Sequence, residues 1–322
     1  MRRREILLGT AALCSTAGLR AQAFPSRTVR IVVPNAPGGA ADITARTVGQ
    51  ALSSALGQAV VVENKPGAGG VVAGELVARA EPDGHTLLLV SSGTAVSAAL
   101  FKSLPFDTLR DFAPVGQMAT FDLVLVAAEG GRFRHLHDVL AWARANPGKL
   151  NIGTPQVGTT QNLAAELFKS AAGLQAQVVP FNGTPPVITA LRSGEVDVGV
   201  DILGPLAGQI GSKALRPLAV LGDKRPPQFA DVPAAREAGG PLVNFAVGSW
   251  NGLAAPARTP APVIDRLNRE LNAALARAEV RQRLAELHLQ AQGGTPAQLA
   301  AHLAADVRRW SEVIARAGIP RQ

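Results

Sequence analysis

Short runs rich in β-branched residues alternate along the chain with segments whose apolar residues recur at helical spacing. In the first third, this pattern predicts strands at 28–33, 59–63 and 86–90, and helices at 42–56 and 71–80. Strands that alternate with helices are typical of parallel sheets, because a parallel connection needs a crossover. The pattern therefore predicts a doubly wound α/β unit.

The same alternation returns in the middle of the chain. It predicts a second group of strands and helices: strands at 123–127, 150–153, 176–180 and 196–200, and helices at 137–145, 162–172 and 186–193. Three further helices are predicted at 262–276, 278–287 and 296–317. In the last of them the apolar residues form one stripe that is typical of core packing: Leu299, Leu303, Val307, Trp310 and Ile314. The chain is thus predicted to contain two α/β units and a helical tail.

The amino-terminal residues follow the pattern of an export signal. Residues 2–5 are charged, residues 6–17 form a short apolar run, and Ala21 and Ala23 provide the small residues of a cleavage site. The apolar run is shorter than the ~20 residues that span a bilayer. A signal peptide over 1–23, cleaved near Ala23, and a periplasmic location are therefore predicted.

Two details of this segment bear on export. Arg3 and Arg4 fit a twin-arginine signal, and they equally fit the general secretion route. Cys14, the one cysteine of the chain, follows Leu13, which is larger than a lipoprotein cleavage site favours. A lipid anchor is therefore not expected.

The composition of the mature chain, residues 24–322, narrows the function. Without cysteine it can form no disulfide, thiol nucleophile or thiolate metal site. Its formal net charge is +5, since the signal peptide removes four arginines and one glutamate from +8. The basic residues are scattered and lack interleaved aromatic residues, so nucleic-acid binding is not predicted. A mild positive field favours small anions.

Sequence signatures of catalysis are missing. The five histidines form no HExxH motif, and no GxSxG elbow, P-loop or framed pair of acidic residues is present. The pair His135 and His137 is typical of a surface loop, and the glycine-rich stretch 67–74 does not match GxGxxG. A binding protein without cofactor or metal is therefore predicted, rather than an enzyme.

The turn between the first predicted strand and helix is the strongest candidate site. Its sequence, PNAPGGAAD at 34–42, places two glycines where a helix begins. The amides of Gly38, Gly39 and Ala40 can donate to a carboxylate there, with Pro37 and Asp42 at the edges of the turn. The alternative is a tight turn in which Asp42 only caps the helix.

Three other segments follow predicted strands, at 91–95, 154–162 and 201–204. Open α/β sheets bind ligands beyond the carboxyl ends of their strands. The candidate ligand contacts in these segments are Ser92, Gly93, Thr94, Thr154, Gln156, Gly158, Thr159, Asn162 and Asp201. The alternatives are a plain N-cap turn at 91–94 and a surface loop at 154–160. Asp201 either accepts a bond from a ligand ammonium or hydroxyl group, or caps the following backbone.

Seven short motifs along the mature chain occur together in one family. They are PGGAAD (37–42), VVENKPGAGG (61–70), PDGHTLL (82–88), LPFD (104–107), DFAPV (111–115), ANPGKLN (145–151) and SWNGL (249–253). In order and spacing this set resembles the tripartite tricarboxylate receptor family, the Bug-type periplasmic solute receptors. The resemblance covers the whole mature chain.

This resemblance implies a two-domain periplasmic-binding-protein type II fold with the ligand in the cleft between the domains. Domain 1 would comprise 24–124 plus 252–322, and domain 2 would comprise 125–251. The implied function is to capture a small organic carboxylate and deliver it to the integral membrane subunits of a tripartite tricarboxylate-type transporter, as a monomer. A sensor for a membrane kinase and an enzyme on the same scaffold remain as alternatives.

The chain departs from the family pattern at two cleft positions. Asn35 stands where family members often have an aromatic residue. The turn that begins at Phe181 stands where family members commonly have a turn with a tyrosine, and this chain has no tyrosine. Phe181 is therefore a further candidate contact, without the phenolic hydroxyl. The ligand is predicted only as a small carboxylate.

Overall fold

The computed structural model describes residues 24–226, 229–316 and 318–322. The predicted signal peptide, with Arg3, Arg4 and Cys14, lies outside these residues. Ten strands are present in the described part: β1 (Val29–Val33), β2 (Val60–Asn64), β3 (Thr86–Ser91), β4 (Phe112–Ala128), β5 (Leu150–Thr154), β6 (Ala176–Pro180), β7 (Val198–Ile202), β8 (Leu215–Val220), β9 (Gly248–Pro256) and β10 (Gln290–Ala291).

Helices cover the faces of the sheet. Those described are α1 (Ala40–Leu56), α2 (Val71–Ala78), α3 (Ser92–Leu100), α4 (Leu136–Ala145), α5 (Thr160–Ala171), α6 (Thr184–Ser193), α7 (Leu203–Gly211), α8 (Ala261–Ala276), α9 (Ala278–Glu286) and α10 (Pro296–Arg316). The predicted α/β alternation is therefore confirmed. Most boundaries shift by a few residues, but β4 is much longer than the predicted 123–127, and β8, β9 and β10 were not predicted. Among the residues that the structure describes, no helix combines the length and apolarity needed to cross a membrane.

The strands form one mixed sheet in the order β2-β1-β3-β9-β4-β7-β5-β6, with β8 and β10 also paired to β4. Two parallel groups are present, because β1 pairs with β2 and β3, and β5 pairs with β6 and β7. Between them lie β4 and β9, which pair antiparallel with each other and with their outer neighbours. The predicted parallel pairing is therefore confirmed within each group, and the antiparallel pairing of β4 and β9 between the groups is an addition that the strand–helix alternation did not predict.

The antiparallel centre has a topological cause. The chain leaves the first parallel group along β4 and returns to it along β9, so the two strands run in opposite directions. In β4, residues Phe112 to Asp122 pair with β9, and Val124 to Ala128 pair with β8. The predicted domain boundary at 124/125 falls close to this change of partner, and the division into domains stays a prediction.

Two helices were missed in the sequence. The segment 91–95, interpreted as a loop, is the end of β3 followed by the first turn of α3, and α7 follows directly after β7. Both helices begin with glycine among their first residues, and α3 is apolar or small on most sides. Helical periodicity is weak in such sequences, because there is no polar face to alternate with the apolar one.

The predicted stripe of the last helix is confirmed as core. Leu299, Leu303, Trp310 and Ile314 are buried, and α10 packs on α3 and β4. Asp306 lies on the same face, where its Oδ2 accepts hydrogen bonds from Trp250 Nε1 at 2.7 Å and from Ser92 Oγ at 3.4 Å. The carboxyl-terminal helix thereby supports the first turn of α3, where the cavity described below is located.

Candidate functional site

A cavity lies at the carboxyl ends of the parallel strands, with residues from both parallel groups in its wall. Six helices point their amino termini at it. Their N-cap residues all line the cavity: Gly39 of α1, Gly70 of α2, Ser91 of α3, Thr159 of α5, Gly183 of α6 and Ile202 of α7. The βα connections of the sheet produce this arrangement, because each helix starts where its strand ends.

This convergence gives the cavity a positive potential without cationic side chains. The first amides of a helix have no intrahelical acceptor, and each helix amino terminus carries about half a positive charge. None of the described residues that line the cavity has an ionisable side chain. The wall instead provides backbone amides, hydroxyl groups and carboxamides, which are suitable donors for an anion.

The turn before α1 is fixed by its own side chains. Gly38 has φ +84°, a conformation that favours glycine. Its amide donates to Asp42 Oδ2 at 3.0 Å, and Arg46 Nε donates to Asp42 Oδ1 at 2.9 Å. Burial raises the pKa of Asp42, but these hydrogen bonds outweigh burial and leave the pKa below its ordinary value. The Gly38 amide, predicted to be a free donor, is therefore engaged, and Gly39 and Ala40 are the residues that reach the cavity.

A second donor group starts α3. The Ser91 amide donates to Thr94 Oγ1 at 3.0 Å, which holds the first turn of the helix, and Ser91, Gly93 and Thr94 all line the cavity. Ser92 points the other way, toward Asp306, and is buried. The hydroxyl groups predicted for this segment are therefore divided between cavity wall and core.

A chain of hydrogen bonds orders the turn before α5. Thr159 Oγ1 donates to the Gln156 carbonyl at 2.7 Å and accepts from the Asn162 amide at 3.3 Å. Asn162 Nδ2 donates to Thr154 Oγ1 at 3.0 Å, and that hydroxyl donates to the Pro155 carbonyl at 2.9 Å. Thr154 and Asn162 are buried supports of the turn, whereas Gln156, Gly158 and Thr159 line the cavity.

Asp201 lies inside β7 and is fully buried. Its Oδ1 accepts hydrogen bonds from the Ile202 amide at 2.7 Å and from Gln161 Nε2 at 3.2 Å. Burial raises the pKa of Asp201 to about 6, even though these hydrogen bonds lower it. Asp201 therefore stands behind Gln161, which lines the cavity, and does not line it itself.

The structure separates the predicted site residues into two groups. Those in the cavity wall are Gly39, Ala40, Gly93, Thr94, Gln156, Gly158 and Thr159. Those outside the wall are Pro37, Gly38, Asp42, Ser92, Thr154, Asn162, Phe181 and Asp201. Phe181 packs with the apolar residues around Val187. Its ring lies so close to Gly153 that a Cβ atom added to this glycine would be 3.4 Å from it. Contact of any of these residues with a ligand stays a prediction.

Asn35, noted in the sequence as a cleft position, also lines the wall. Other polar residues of the wall were not proposed as ligand contacts from the sequence: Ser91, Ser97, Thr160, Gln161, Thr184, Ser249 and Asn251. Ser91, Thr160 and Gln161 lie within segments that were predicted to face a ligand. Thr184 follows Gly183 and precedes two prolines, a pattern typical of a helix start. Ser249 and Asn251 belong to the SWNGL motif, whose strand β9 the periodicity did not reveal.

Glycines allow the two sides of the cavity to touch. Ser97 Oγ donates to the Gly158 carbonyl at 3.0 Å, and the Gly69 amide donates to the Val157 carbonyl at 3.1 Å. A Cβ atom on Gly158 would lie 2.7 Å from Gly69 Cα and 2.9 Å from Ser97 Oγ. These contacts join residues of the two predicted domains, so the cavity is closed on this side.

Replacing Asp201 with asparagine is expected to change how stability depends on pH. Between the ordinary pKa near 3.8 and the folded pKa of about 6, the folded protein binds more protons than the unfolded chain, so stability falls as pH rises. Up to about 3 kcal/mol is lost above about pH 6. Asp201→Asn has no such loss, so its melting temperature relative to wild type should rise by several degrees between about pH 4 and pH 8.

Asp42→Asn is the contrasting control for this experiment. The pKa of Asp42 is lowered, so the ionised carboxylate contributes stability that is present above about pH 4 and lost below it. Asp42→Asn should therefore melt below wild type at neutral pH and approach it in acid. Equal pH profiles for Asp201→Asn and wild type would contradict the raised pKa of Asp201.

Comparison with known proteins places these features in a family. Residues 44–319 match the family model of the tripartite tricarboxylate transporter family receptor. The chain is 39% identical over 315 residues to the "UPF0065 protein in tcbD-tcbE intergenic region" of a Pseudomonas species, covering 97% of this chain and 94% of that protein. It is 33% identical to Protein BugT of Bordetella pertussis, covering 97% of this chain and 95% of BugT.

Solved structures share the fold over nearly their whole length. The periplasmic binding protein BugD superposes with a TM-score of 0.88 at 31% identity, covering 93% of this chain and 100% of that chain. An R. palustris protein with adipate gives 0.88 at 30% identity (92% and 99% covered), and MatC of Rhodopseudomonas palustris with bound malate gives 0.85 at 34% identity (90% and 100% covered). The predicted periplasmic-binding-protein fold is confirmed by these similarities.

Proposed function

The chain belongs to the tripartite tricarboxylate transporter receptor family, and from this premise we propose that it is an extracytoplasmic receptor for a small organic carboxylate. In this proposal it delivers the bound solute to the membrane subunits of a tripartite transporter. The export signal predicted over residues 1–23 supports a periplasmic location.

The observation that carries the proposal is the convergence of six helix amino termini on one cavity. Several aligned helix dipoles stabilise an anion, and their free amides can donate directly or through ordered water molecules. None of the wall residues that the structure describes carries an acidic side chain that would oppose a carboxylate. Two relatives of similar fold hold carboxylates, adipate and malate, which supports the same ligand class here.

We propose that domain 1 (24–124 plus 252–322) and domain 2 (125–251) close over the ligand by bending where β4 and β9 cross between them. Gly39 and Ala40 would dock the carboxylate from domain 1, and the turn 156–159 would cover it from domain 2. The glycine contacts of Gly158 with Gly69 and Ser97 would then form only in the closed state. The transporter would recognise that closed form.

Thermal melting of residues 24–322 against small mono-, di- and tricarboxylates, amino acids and aromatic acids tests the ligand class. A ligand at 100 times its dissociation constant should stabilise the folded protein by about 2.7 kcal/mol, which raises the melting temperature by several degrees. Positive shifts confined to carboxylates would support the receptor. A cooperative melt that no member of the panel shifts would contradict it.

Deletion of the gene tests the partner. If the receptor serves a transporter, cells without it should lose uptake of the ligand that gives the largest shift, and a plasmid copy should restore uptake. Loss of a transcriptional response to that ligand, with uptake unchanged, would instead favour the sensor.

A further inference from the structure

The amide group of Gln161 has a fixed orientation. Its Nε2 donates to Asp201 Oδ1 at 3.2 Å, and the same oxygen accepts from the Ile202 amide at 2.7 Å. At neutral pH, above the pKa of about 6, Asp201 is ionised and only accepts hydrogen bonds, so the NH2 end of Gln161 faces it. The carbonyl end of Gln161, a residue of the cavity wall, is left as an acceptor.

Asn251, a wall residue on β9, is fixed in a similar way. Its Nδ2 donates to Thr44 Oγ1 at 3.1 Å, and the Thr44 hydroxyl donates its one proton to the Ala40 carbonyl at 2.7 Å. With its proton donated to Ala40, Thr44 Oγ1 acts as an acceptor toward Asn251, which favours the amide orientation with Nδ2 toward Thr44. The Asn251 carbonyl oxygen is consequently a second acceptor.

These two oxygens have no donor among the residues that the structure describes. In an open cavity water molecules can satisfy them, but a ligand that displaces the water must replace its hydrogen bonds. An unpaired buried acceptor weakens binding by about tenfold to 100-fold. A carboxylate that also carries a hydrogen-bond donor therefore fits this wall better than one that does not.

The charge of the wall decides which donor fits. An ammonium group would lie in the positive field of six helix amino termini, and within the described part of the chain no acidic side chain lines the cavity to compensate its charge. A hydroxyl group donates without carrying charge. We infer that Gln161 and Asn251 select hydroxycarboxylates, because their carbonyl oxygens accept a hydrogen bond from the ligand hydroxyl group. This inference rests on the proposed receptor function.

Asp201 and Thr44 are positioning residues in this inference, since each holds one of the two amides. Gln156 provides a contrast within the same wall. Its Nε2 donates to Asn182 Oδ1 at 2.7 Å, but an amide that faces another amide can reverse together with its partner. Its orientation is therefore not fixed, and it should discriminate little between ligands.

Isothermal titration of residues 24–322 with matched acids tests the inference. Lactate, propionate and alanine differ in one substituent, which is a hydroxyl, a hydrogen or an ammonium group, and malate, succinate and aspartate form a second such series. We expect the hydroxy acid of the series that binds to have an affinity about tenfold to 100-fold above its deoxy counterpart, and also above the amino acid.

Variants then assign the preference to the two residues. Gln161→Leu should reduce the ratio between hydroxy and deoxy acid to within about threefold, mainly by weakening the hydroxy acid. Thr44→Val should reduce the ratio partly, because it releases the Asn251 amide without changing the wall. Gln156→Leu can weaken both acids, because Gln156 lies in the turn that covers the ligand, but it should leave their ratio unchanged. Gln177→Leu, on β6 outside the cavity wall, is the matched control and should change neither affinity. The melting temperature of each variant shows whether it is folded.

The possible outcomes separate the inference from the function on which it rests. Equal affinities within both series, or tighter binding of the amino acids, would overturn the selection of a hydroxyl while leaving a carboxylate receptor intact. A hydroxyl preference that survives both Gln161→Leu and Thr44→Val would overturn the assignment to these residues. Absence of binding by every acid in the broad melting panel would count against the receptor itself, and the inference would fall with it.

Discussion

Gly39→Asp is expected to weaken binding of the carboxylate ligand by about 100-fold or more, whereas Gly39→Asn weakens it by less than about tenfold. Two negative charges about 4 Å apart repel each other by about 4 kcal/mol at the effective dielectric constant of a protein surface. Each 1.4 kcal/mol corresponds to about tenfold in affinity. The asparagine has the same shape and lacks the charge, so the difference between the two variants measures electrostatics alone.

Both variants fit the backbone at this position. Gly39 is the N-cap of α1 with φ −87° and ψ 170°, where aspartate and asparagine are favoured in other helices. A Cβ atom there would lie 3.8 Å from Thr184 Oγ1 and 3.9 Å from the Ala36 carbonyl, which are ordinary contacts. Aspartate also interacts favourably with the helix dipole, so Gly39→Asp should melt at or above the temperature of wild type.

Calorimetric titration with the best ligand of the panel would measure the effect, at low and at moderate salt. Added salt should reduce the difference between the two variants, because part of the repulsion is screened. Similar losses for aspartate and asparagine would assign the effect to blocked amides rather than to charge. Unchanged affinity in Gly39→Asp would mean that the carboxylate does not bind at the amino terminus of α1.

The sequence pattern was a good guide to the elements that create the cavity. The turn 34–42 could be recognised because its two glycines separate a β-branched strand from an amphipathic helix. In the structure, β1 ends just before this turn and α1 begins within it, close to the predicted boundaries. The turn 154–162 was recognised for the same reason. A change from strand to helix periodicity marks the end of a strand, and ligands bind at that end in such folds.

The same pattern could not show which way each side chain points. Ser92 and Gly93 are neighbours, yet Ser92 faces Asp306 in the core and Gly93 lines the cavity. Asp201 is a polar residue at the end of a predicted strand, but it lies one layer behind Gln161. Such differences depend on helix phase and on partners far away in the chain, such as α10.

The antiparallel strand β9 escaped prediction for a related reason. Its residues GSWNGLAAP are buried from Ser249 to Pro256 without alternation, so the period of two that marks a half-buried strand is missing. Ser249 and Asn251 reach the cavity only because β9 passes between β3 and β4. Their contribution follows from topology, which local sequence does not encode.

The glycine contacts between the two sides of the cavity lead to the second large effect. Gly158→Ala is expected to raise the dissociation constant of the ligand by about 100-fold, or roughly 2.8 kcal/mol. Its methyl group would lie 2.7 Å from Gly69 Cα and 2.9 Å from the Gly69 nitrogen, so the closed cavity cannot form without displacing backbone. Affinity falls in proportion to the fraction of protein that can reach the binding-competent state.

Gly148→Ala is the matched control for this variant. Gly148 has φ +77°, close to the +80° of Gly158, but no atom lies within 4 Å of its Cβ position. Both alanines therefore have the same unfavourable backbone conformation, which costs about 1–2 kcal/mol of stability. Only Gly158→Ala adds the collision, so both variants should melt a few degrees below wild type and only one should lose affinity.

Small-angle scattering distinguishes the cause of that loss. Wild type and Gly148→Ala should become more compact when saturated with ligand, whereas Gly158→Ala should keep the dimensions of its free form. If Gly158→Ala binds weakly but still contracts, the alanine disturbs the site locally and closure is not the step that it blocks. If it binds as tightly as Gly148→Ala, the contacts of Gly158 with Gly69 and Ser97 play no part in holding the ligand, and the closure mechanism must be abandoned.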